Sequence, residues 1–327
     1  MFKSDKVIPI YKNGHGVHEV IAELQKGARE LEKKEKKIMK KLRYSEMFYS
    51  IQGEGRFVGT PSVFLRLYGC NFECPGFGQP RGQLIPRDEM PWKNLDVSQY
   101  KSIEELPVMK IGCDSSASWA KEYMHLSTFE ESDIIAEKLI NLCPDKKWYY
   151  EDNKQDIHLV ITGGEPMMWQ KQLPDLLGHP SFRHIKNITF ETNSTFALTD
   201  EFLEWLHEYS LMDHHITWSC SPKLSISGEL GFKAIKPENW HQYKKVQNSH
   251  LYLKFVVQDE QDIEEIKQIE LSYDRWEDYI DIYLMPCGGT AEMLENTKFN
   301  VAEMAMKYGF KYSPRLHVDL FGNKWGT

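Results

Sequence analysis

The sequence lacks any run of about 18 apolar residues, which is the length that a membrane-spanning helix needs. Its first residues, MFKSDKVIPIYKNGHG, also lack the apolar stretch of a secretory signal peptide. Cysteine is scarce, with 6 residues in a chain of 327. In a chain that we expect to be cytoplasmic, so few cysteines argue against a disulfide framework. Clustered cysteines are therefore better interpreted as metal ligands or reactive thiols.

An excess of positive charge is also absent from most of the chain. Residues 1–43 carry a net charge of +6, and the remaining residues carry −14, which gives the total of −8. An acidic body argues against a large nucleic-acid footprint, because phosphate contacts need clustered lysine and arginine. A small anionic substrate would need local arginine, lysine or metal. We therefore expect a small-molecule partner and no nucleic acid or membrane.

The chain divides into two parts by pattern. Residues 1–43 predict an N-terminal helical extension, because apolar residues recur at helical spacing from Val17 to Leu31 and a highly charged run follows. A solvated helix face is the favoured interpretation, and contact with RNA or a partner is the alternative. Residues 44–327 form the second domain, in which residues 75–112 are predicted to be an insertion.

Strands and helices alternate in the second domain. Apolar runs rich in β-branched residues predict strands at 61–68, 156–162, 187–192, 215–220, 251–257 and 280–285. Helical patterns lie at 131–142, 169–177, 200–209, 259–270 and 291–308. Such alternation predicts an α/β fold with parallel strands, and six strands favour a partial (β/α)6 barrel. In such folds the active site lies at the C-terminal ends of the strands.

The stretch GCNFECPGFGQP places Cys70 and Cys74 directly behind the first predicted strand. A third thiolate would be expected at position 77, which is phenylalanine. Residues 75–112 then interrupt the strand–helix rhythm with five prolines and four glycines, and Cys113 follows them. An insertion whose ends lie close together costs little extra loop entropy, so Cys113 can join the first two. Three thiolates can hold a [4Fe–4S] cluster and leave its fourth iron open to another ligand.

The motifs of residues 44–327 resemble, in order, those of a known family. They are EMFYSIQGEGRFVGTPSVFLRLYGCNFEC, CDSSASW, ITGGEP, ETNST, SPKLS, LKFVV and SPRLHVDLFGNK. Together they resemble 7-carboxy-7-deazaguanine synthase, a radical S-adenosylmethionine (SAM) enzyme. The chain departs from the family pattern in its 38-residue spacing, in Ser115 where threonine is usual, in Ser194 where glycine is usual, and in its N-terminal helix.

The resemblance implies a complete set of ligand-binding residues and no catalytic residue beyond the cluster. It places the [4Fe–4S] cluster on Cys70, Cys74 and Cys113, and Mg²⁺ on Ser115. It places SAM on Gly164, Glu165, Glu191, Asn193, Ser221, Pro222, Lys223, Met285 and Pro286. It places the substrate on Ile51, Gln52, Gly53, Glu54, Arg66, Thr162, His317 and Thr327, the last through a C-terminal carboxylate.

Several of these residues also have a purely structural interpretation. Arg66 lies on an apolar strand and fits a substrate carboxylate, but an internal salt bridge would explain it equally well. Lys223 is otherwise an exposed loop lysine, and His317 is otherwise a core histidine. The remaining cysteines, Cys143, Cys220 and Cys287, are interpreted as packing residues, although Cys287 lies at a strand end that faces the proposed site and is ambiguous.

The implied reaction converts 6-carboxy-5,6,7,8-tetrahydropterin to 7-carboxy-7-deazaguanine and ammonia, in queuosine or modified-DNA biosynthesis. The implied partners are an electron donor such as flavodoxin or ferredoxin and a second copy in a homodimer. Two alternatives stay open. The first is a radical SAM activase of a glycyl-radical enzyme, which would share the cluster but would not need Arg66 or Ser115. The second is a non-catalytic iron–sulfur binding or regulatory protein, for which the basic helix is the best argument.

Overall fold

The computed structural model describes residues 40–272 and 279–327. Residues 1–39 of the predicted extension lie outside the described residues, so their helix stays a prediction. Within the two described ranges one sheet of nine strands forms: β1 (Lys41–Ile51), β2 (Pro61–Leu67), β3 (Thr128–Glu131), β4 (His158–Gly163), β5 (Asn187–Thr192), β6 (His215–Cys220), β7 (Ser249–Val257), β8 (Asp281–Pro286) and β9 (Lys311–Tyr312).

The helices that accompany this sheet comprise the five that were predicted and four short ones that the sequence patterns missed. They are α1 (Pro91–Asn94), α2 (Ser132–Leu142), α3 (Leu173–Leu177), α4 (Asp200–Ser210), α5 (Gly231–Ala234), α6 (Pro237–Lys244), α7 (Glu260–Ser272), α8 (Ala291–Tyr308) and α9 (Leu316–Phe321). The helix predicted at 169–177 is shorter than expected and begins at Leu173. Pro174 lies in its first turn, where a missing backbone N–H costs nothing.

The strands lie in the order β3-β1-β2-β4-β5-β6-β7-β8-β9. β1 runs antiparallel to both of its neighbours, and every pair from β2–β4 to β8–β9 is parallel. The predicted α/β class and the six predicted parallel strands are therefore confirmed. The sheet does not close, since β3 and β9 remain its edges, and a barrel is not confirmed.

Three strands were missed by the sequence patterns, and the first of them corrects a prediction. Lys41 to Arg43 were predicted to end the helical extension, but they open β1 and pair with β3. Leu42 and Tyr44 alternate toward the core and are buried, which is the two-residue period of a strand. The charged run before them concealed this alternation. β3 and β9 are too short, at four and two residues, to give a pattern.

The two faces of the sheet have different characters because side chains alternate along each strand. Val63, Leu65 and Leu67 of β2 are fully buried in the main core, which the helices cover. Phe64 points the other way, and Phe48 stacks on it with ring centroids 4.8 Å apart. The second face becomes polar toward the C-terminal ends of the strands, so most of the apolar burial lies on the helix-covered side.

The insertion at residues 75–112 is held by its own packing. Met90 and Trp92 are fully buried in a small separate core that it shares with the following segment. Arg81 anchors it to the body through ion pairs with Asp262 (2.7 Å) and Asp259 (3.1 Å). Its two ends meet, because the N–H of Gly112 donates to the carbonyl of Phe77 at 2.7 Å. The insertion therefore returns the chain to nearly the point from which it left.

Among the described residues, we find no helix that combines the length and the apolar character needed to cross a bilayer.

His158, the first residue of β4, should make the stability of the fold depend on pH. His158 is 5% exposed, and its burial lowers the pKa of the imidazole to about 4. In the unfolded chain the pKa of this imidazole is about 6.5, so the unfolded state binds the proton more readily than the folded state does. The free energy of unfolding is therefore highest above pH 6.5 and falls as the pH falls toward 4. We expect this residue to contribute a slope of about 1.4 kcal/mol per pH unit in that window. Urea unfolding of His158→Phe, which keeps a packed ring, should show a shallower slope. Identical slopes would contradict the prediction.

Candidate active site

The polar face of the sheet forms one wall of a cavity at the C-terminal ends of the parallel strands. Strand register places Arg66 beside Thr162 and Glu191 beside Ser219, and all four side chains line this cavity. Lys254 of β7 lines it as well. Leu65, Phe190 and Leu253, which directly precede Arg66, Glu191 and Lys254, are buried in the main core instead. This alternation explains how apolar strands deliver charged groups to one place.

The structure brings the three predicted cluster cysteines to this cavity. Cys70, Cys74 and Cys113 are free thiols that line it together, and they border the same small packing cluster. Cys74 has a positive φ of 47°, which few residues other than glycine adopt. The Glu229 carboxylate stabilises that turn by accepting the N–H of Glu73 (3.0 Å) and the N–H of Cys74 (2.8 Å). Separation by 38 residues in the chain therefore does not separate the thiols in space.

The chemistry of the three thiols fits an iron–sulfur cluster. Burial raises the pKa of Cys70 to about 12 and of Cys113 to about 11, and it raises the pKa of Cys74 well above its ordinary value; the Lys223 ammonium opposes the shift at each. Each thiol therefore holds its proton near pH 7, and binding a cluster would release that proton. Within the described ranges, no three His, Cys, Asp or Glu side chains are arranged to hold a single metal ion. A [4Fe–4S] cluster binds each thiolate to a different iron, so this finding concerns mononuclear sites.

The turn after β4 packs directly against the cysteine loop. A side chain at Gly164 would place its Cβ 2.2 Å from the carbonyl oxygen of Gly69 and 2.9 Å from Cβ of Cys70, so only glycine fits. The two loops are also hydrogen-bonded, since the N–H of Glu165 donates to the same Gly69 carbonyl at 2.7 Å. The turn and the cysteine loop are thus held as one unit.

Two of the predicted SAM-binding residues do not line the cavity. Glu165 is fully buried, and its carboxylate accepts hydrogen bonds from Thr192 Oγ1 (2.7 Å) and from the N–H groups of Asn193 (2.7 Å) and Met167 (2.8 Å). These internal partners occupy it, so its side chain braces the turn from behind. Pro222 is buried between two residues that do line the cavity.

Every other predicted site residue lines the cavity. These residues are Ile51, Gln52, Gly53, Glu54, Arg66, Cys70, Cys74, Cys113, Ser115, Thr162, Gly164, Glu191, Asn193, Ser221, Lys223, Met285, Pro286, His317 and Thr327. Lys223 is part of the wall and not an exposed loop lysine, and its ammonium donates to the carbonyl of Ser221 at 2.9 Å. Cys287, interpreted from the sequence as a packing residue, is buried and also borders the cavity.

A buried carboxylate at the end of β1 binds two cations from distant parts of the chain. Glu54 lies 2.5 Å from Lys254 Nζ and 3.2 Å from Arg315 Nε. Burial alone would raise the pKa of this carboxyl, but the two cations hold it well below its usual range. Arg315 also binds Asp114 and the carbonyl of Gly288. One carboxylate thus connects β7, the segment before α9 and, through Arg315, the loop of the third cysteine.

Arg66 makes the internal salt bridge that the sequence left as an alternative. Its Nε lies 2.6 Å from Glu46 of the neighbouring strand, and its Nη1 lies 3.3 Å from Ser115 Oγ. The last residues of the chain pack on this pair. The N–H of Gly326 donates to Glu46 at 2.8 Å, and the Trp325 ring lies 5.7 Å from the Arg66 guanidinium.

Several charged residues of the wall were not predicted, including Glu46, Asp114, Lys254 and Arg315. A signal for Lys254 was present, since a charged residue inside the apolar run LYLKFVV is as conspicuous as Arg66 in VFLRLYG. No such signal was present for Glu46, because the strand that carries it was missed.

A set of three cysteines beside a glycine-rich turn, at the C-terminal ends of parallel strands, defines the class of radical SAM enzymes. No family model matches the sequence. The 7-carboxy-7-deazaguanine synthase of Halobacterium salinarum is 30% identical over 299 residues, which cover 85% of this chain and 90% of that protein. The chain belongs to the 7-carboxy-7-deazaguanine synthase family, whose members are radical SAM lyases.

Other relatives carry the same name. The protein of Pyrobaculum aerophilum is 25% identical over 290 residues, covering 88% of this chain and 97% of its own length. The protein of Bacteroides thetaiotaomicron is 40% identical over 184 residues, which cover 56% of this chain and 61% of that protein. The crystal structure of QueE from Escherichia coli shares 18% identity and a TM-score of 0.46, covering 85% of this chain and 95% of that one, and we draw nothing from so low a score.

The Glu54 ion pairs should contribute measurably to stability. Glu54→Gln leaves two buried cations with one partner fewer, and we expect a loss of about 3 kcal/mol in the free energy of unfolding. Glu260→Gln serves as the control, because Glu260 pairs with Lys307 at the exposed surface and should matter little. Urea unfolding of the ligand-free proteins measures both. Equal losses in the two variants would contradict the prediction.

Proposed function

We propose that this chain converts 6-carboxy-5,6,7,8-tetrahydropterin to 7-carboxy-7-deazaguanine and ammonia, in a pathway to queuosine or to modified DNA. The observation that carries the proposal is the return of Cys113 to the cavity of Cys70 and Cys74, in a chain of the synthase family. We further infer that the open sheet is a partial (β/α)6 barrel of the radical SAM type, with the residues that precede β1 as a separate helical extension.

The cavity offers distinct places for the implied cofactors. Cys70, Cys74 and Cys113 would hold the [4Fe–4S] cluster, and SAM would lie beside Gly164 and the strand ends at Asn193, Ser221, Lys223, Met285 and Pro286. When bound, these groups supply one-electron cleavage of SAM and hydrogen abstraction from the pterin. The glycine turn permits the close approach that SAM needs, while Glu165 keeps that turn in place from beneath.

The remaining wall suits a flat ring with many N–H groups and one carboxylate. Gln52, Thr162 and Glu191 form a hydrogen-bonded row, in which Glu191 accepts from the other two at 3.1 Å each. Together with Glu54, this row would bind the polar edge of the pterin, so Glu191, which the resemblance assigns to SAM, would serve the substrate as well. Arg66 would bind the substrate carboxylate through the N–H groups that Glu46 leaves free. His317 and Thr327 would close the far side and exclude water.

We propose that Mg²⁺ binds at Ser115, next to the bound substrate. Ser115 Oγ lies in the cavity wall, 3.2 Å from Asp114 Oδ1. Magnesium prefers hard oxygen ligands and often retains waters and borrows substrate oxygens, so one or two protein oxygens suffice.

For the partners, we propose a flavodoxin or ferredoxin as electron donor, a homodimer and a cytoplasmic location. The family membership and the reductive chemistry support the donor.

The decisive experiment incubates the anaerobically reconstituted protein with the carboxytetrahydropterin, SAM, Mg²⁺ and a reductant. We expect a deazaguanine chromophore, together with ammonia in equal amount. Formation of deoxyadenosine without ring contraction would overturn the proposal and favour an activase. Absence of any SAM cleavage, with an intact cluster, would favour a binding or regulatory protein.

The insertion predicts a specific pattern among cysteine variants. Cys113→Ala should abolish cluster reconstitution as completely as Cys70→Ala or Cys74→Ala, because each removes one of three thiolates. Cys143→Ala should retain the cluster, since Cys143 is buried in the main core. Iron and sulfide contents with visible absorbance decide the matter. A Cys113→Ala protein with a full cluster would contradict the prediction, and Cys287 would become the next candidate.

The magnesium proposal predicts a separation between cluster content and turnover. Ser115→Ala should lower turnover about tenfold or more while its iron content stays unchanged, because it removes one hard oxygen ligand. Ser115→Thr keeps the oxygen and should be tolerated. The measurement is the rate with and without added Mg²⁺ after chelation. If the parent is indifferent to Mg²⁺, the assignment is wrong.

A further inference from the structure

Lys254 is a buried lysine in the cavity wall to which the proposed reaction assigns no role. Its Nζ lies 2.5 Å from Glu54 Oε2 and 4.0 Å from Glu191 Oε1. We propose that Lys254 is a positioning residue that keeps both carboxylates ionised and aimed at the pterin, an inference that rests on the proposed function. Both carboxylates line the cavity with it.

Burying the ammonium group of Lys254 costs desolvation free energy, which nearby carboxylates have to offset. Lys254 is only 4% exposed, and it lies in the cavity wall, on the face of β7 opposite to the core residues Leu253 and Phe255. An ammonium group in such surroundings is strongly disfavoured unless ionised partners compensate it. Glu54 and Glu191 are those partners. A residue placed only for packing at this position would be apolar, as Val256 is at the next position on the same face.

The two carboxylates retain capacity to accept hydrogen bonds from a ligand. Glu191 accepts from Gln52 Nε2 and Thr162 Oγ1, and Glu54 accepts from Arg315 and Lys254. An ionised carboxylate offers about four acceptor sites, so each has sites left for the N–H groups of a pterin. This holds only while both stay ionised, because a protonated carboxyl presents a donor in place of an acceptor.

The other charged and titratable groups around the pair do not replace Lys254. Arg315 approaches Glu54 but also binds Asp114. Burial lowers the pKa of His317 to about 4, and burial raises the pKa of Tyr252 to about 12, so both rings are neutral near pH 7. Arg66 faces Glu191 from β2 but forms its ion pair with Glu46. Of these groups, Lys254 is the cation that lies within ion-pair distance of both carboxylates.

Neutralising Lys254 should therefore create a proton linkage that the parent lacks. With the cation removed, the two partly buried carboxylates lose the positive charge that they share, and we expect the pair to take up one proton as a unit. Pterin binding then has to expel this proton. Since protonation increases as the pH falls, affinity should fall with falling pH, by about tenfold per pH unit once the pair is protonated.

The test is calorimetric binding of 6-carboxy-5,6,7,8-tetrahydropterin to the reconstituted holoprotein with SAM and without reductant, on both sides of neutral pH and in buffers of different ionisation enthalpy. We expect the parent to bind without proton exchange and Lys254→Gln to release one proton. Lys254→Arg keeps the charge and should resemble the parent. Lys307→Gln is the matched control, because Lys307 pairs with Glu260 at the surface.

Each outcome decides a different claim. If the parent does not bind the pterin, the proposed function fails, and this inference fails with it. If the parent binds and Lys254→Gln shows no proton release, or a loss that is the same at every pH, only the inference on Lys254 is overturned. If Lys254→Gln does not fold, Lys254→Gln/Glu54→Gln has one carboxylate less and should bind without proton release. Release of a proton by that double variant would likewise overturn the inference.

Discussion

The charged wall of the cavity is organised around the carboxylate of Glu54, which needs cationic partners because it is largely removed from water. Glu54 lies at the end of β1, and it is compensated by Lys254 from the middle of the sheet and by Arg315 from near the end of the chain. A buried charge costs several kcal/mol unless partners surround it, so these segments are obliged to converge. Arg315 extends the connection to Asp114, beside the third cysteine. The ligand-free cavity thus already has its charges paired.

The alternation of side chains along parallel strands explains how this polar centre coexists with an apolar core. Phe190 of β5 packs between Phe202 and Trp218 on the helix side, while the next residue, Glu191, faces the cavity. Adjacent residues of one strand therefore have different roles: one packs in the core, and the next contributes a charge to the cavity. The helices bury one face and provide stability, and the other face is left free for charges. A shift of register by one residue would exchange the two sets.

The sequence predicted most of what alternation and chain order determine. Six strands were found because β-branched runs mark buried parallel strands, and the cysteines were found because few residue types bind clusters. What failed depended on contacts between distant segments. Nothing near Glu165 in the sequence indicates that Thr192 and Asn193 occupy its carboxylate. The Arg66–Glu46 pair depends on β1, whose alternation was hidden by the lysine-rich run before it. Lys254 could have been predicted by the argument used for Arg66.

The contact that joins the ends of the insertion has a consequence for how such proteins are found. Because the N–H of Gly112 binds the carbonyl of Phe77, the length of chain between them has little influence on where Cys113 lies. A search pattern that fixes the number of residues between the second and third cysteines would overlook chains of this kind. A pattern based on the flanking motifs would find them.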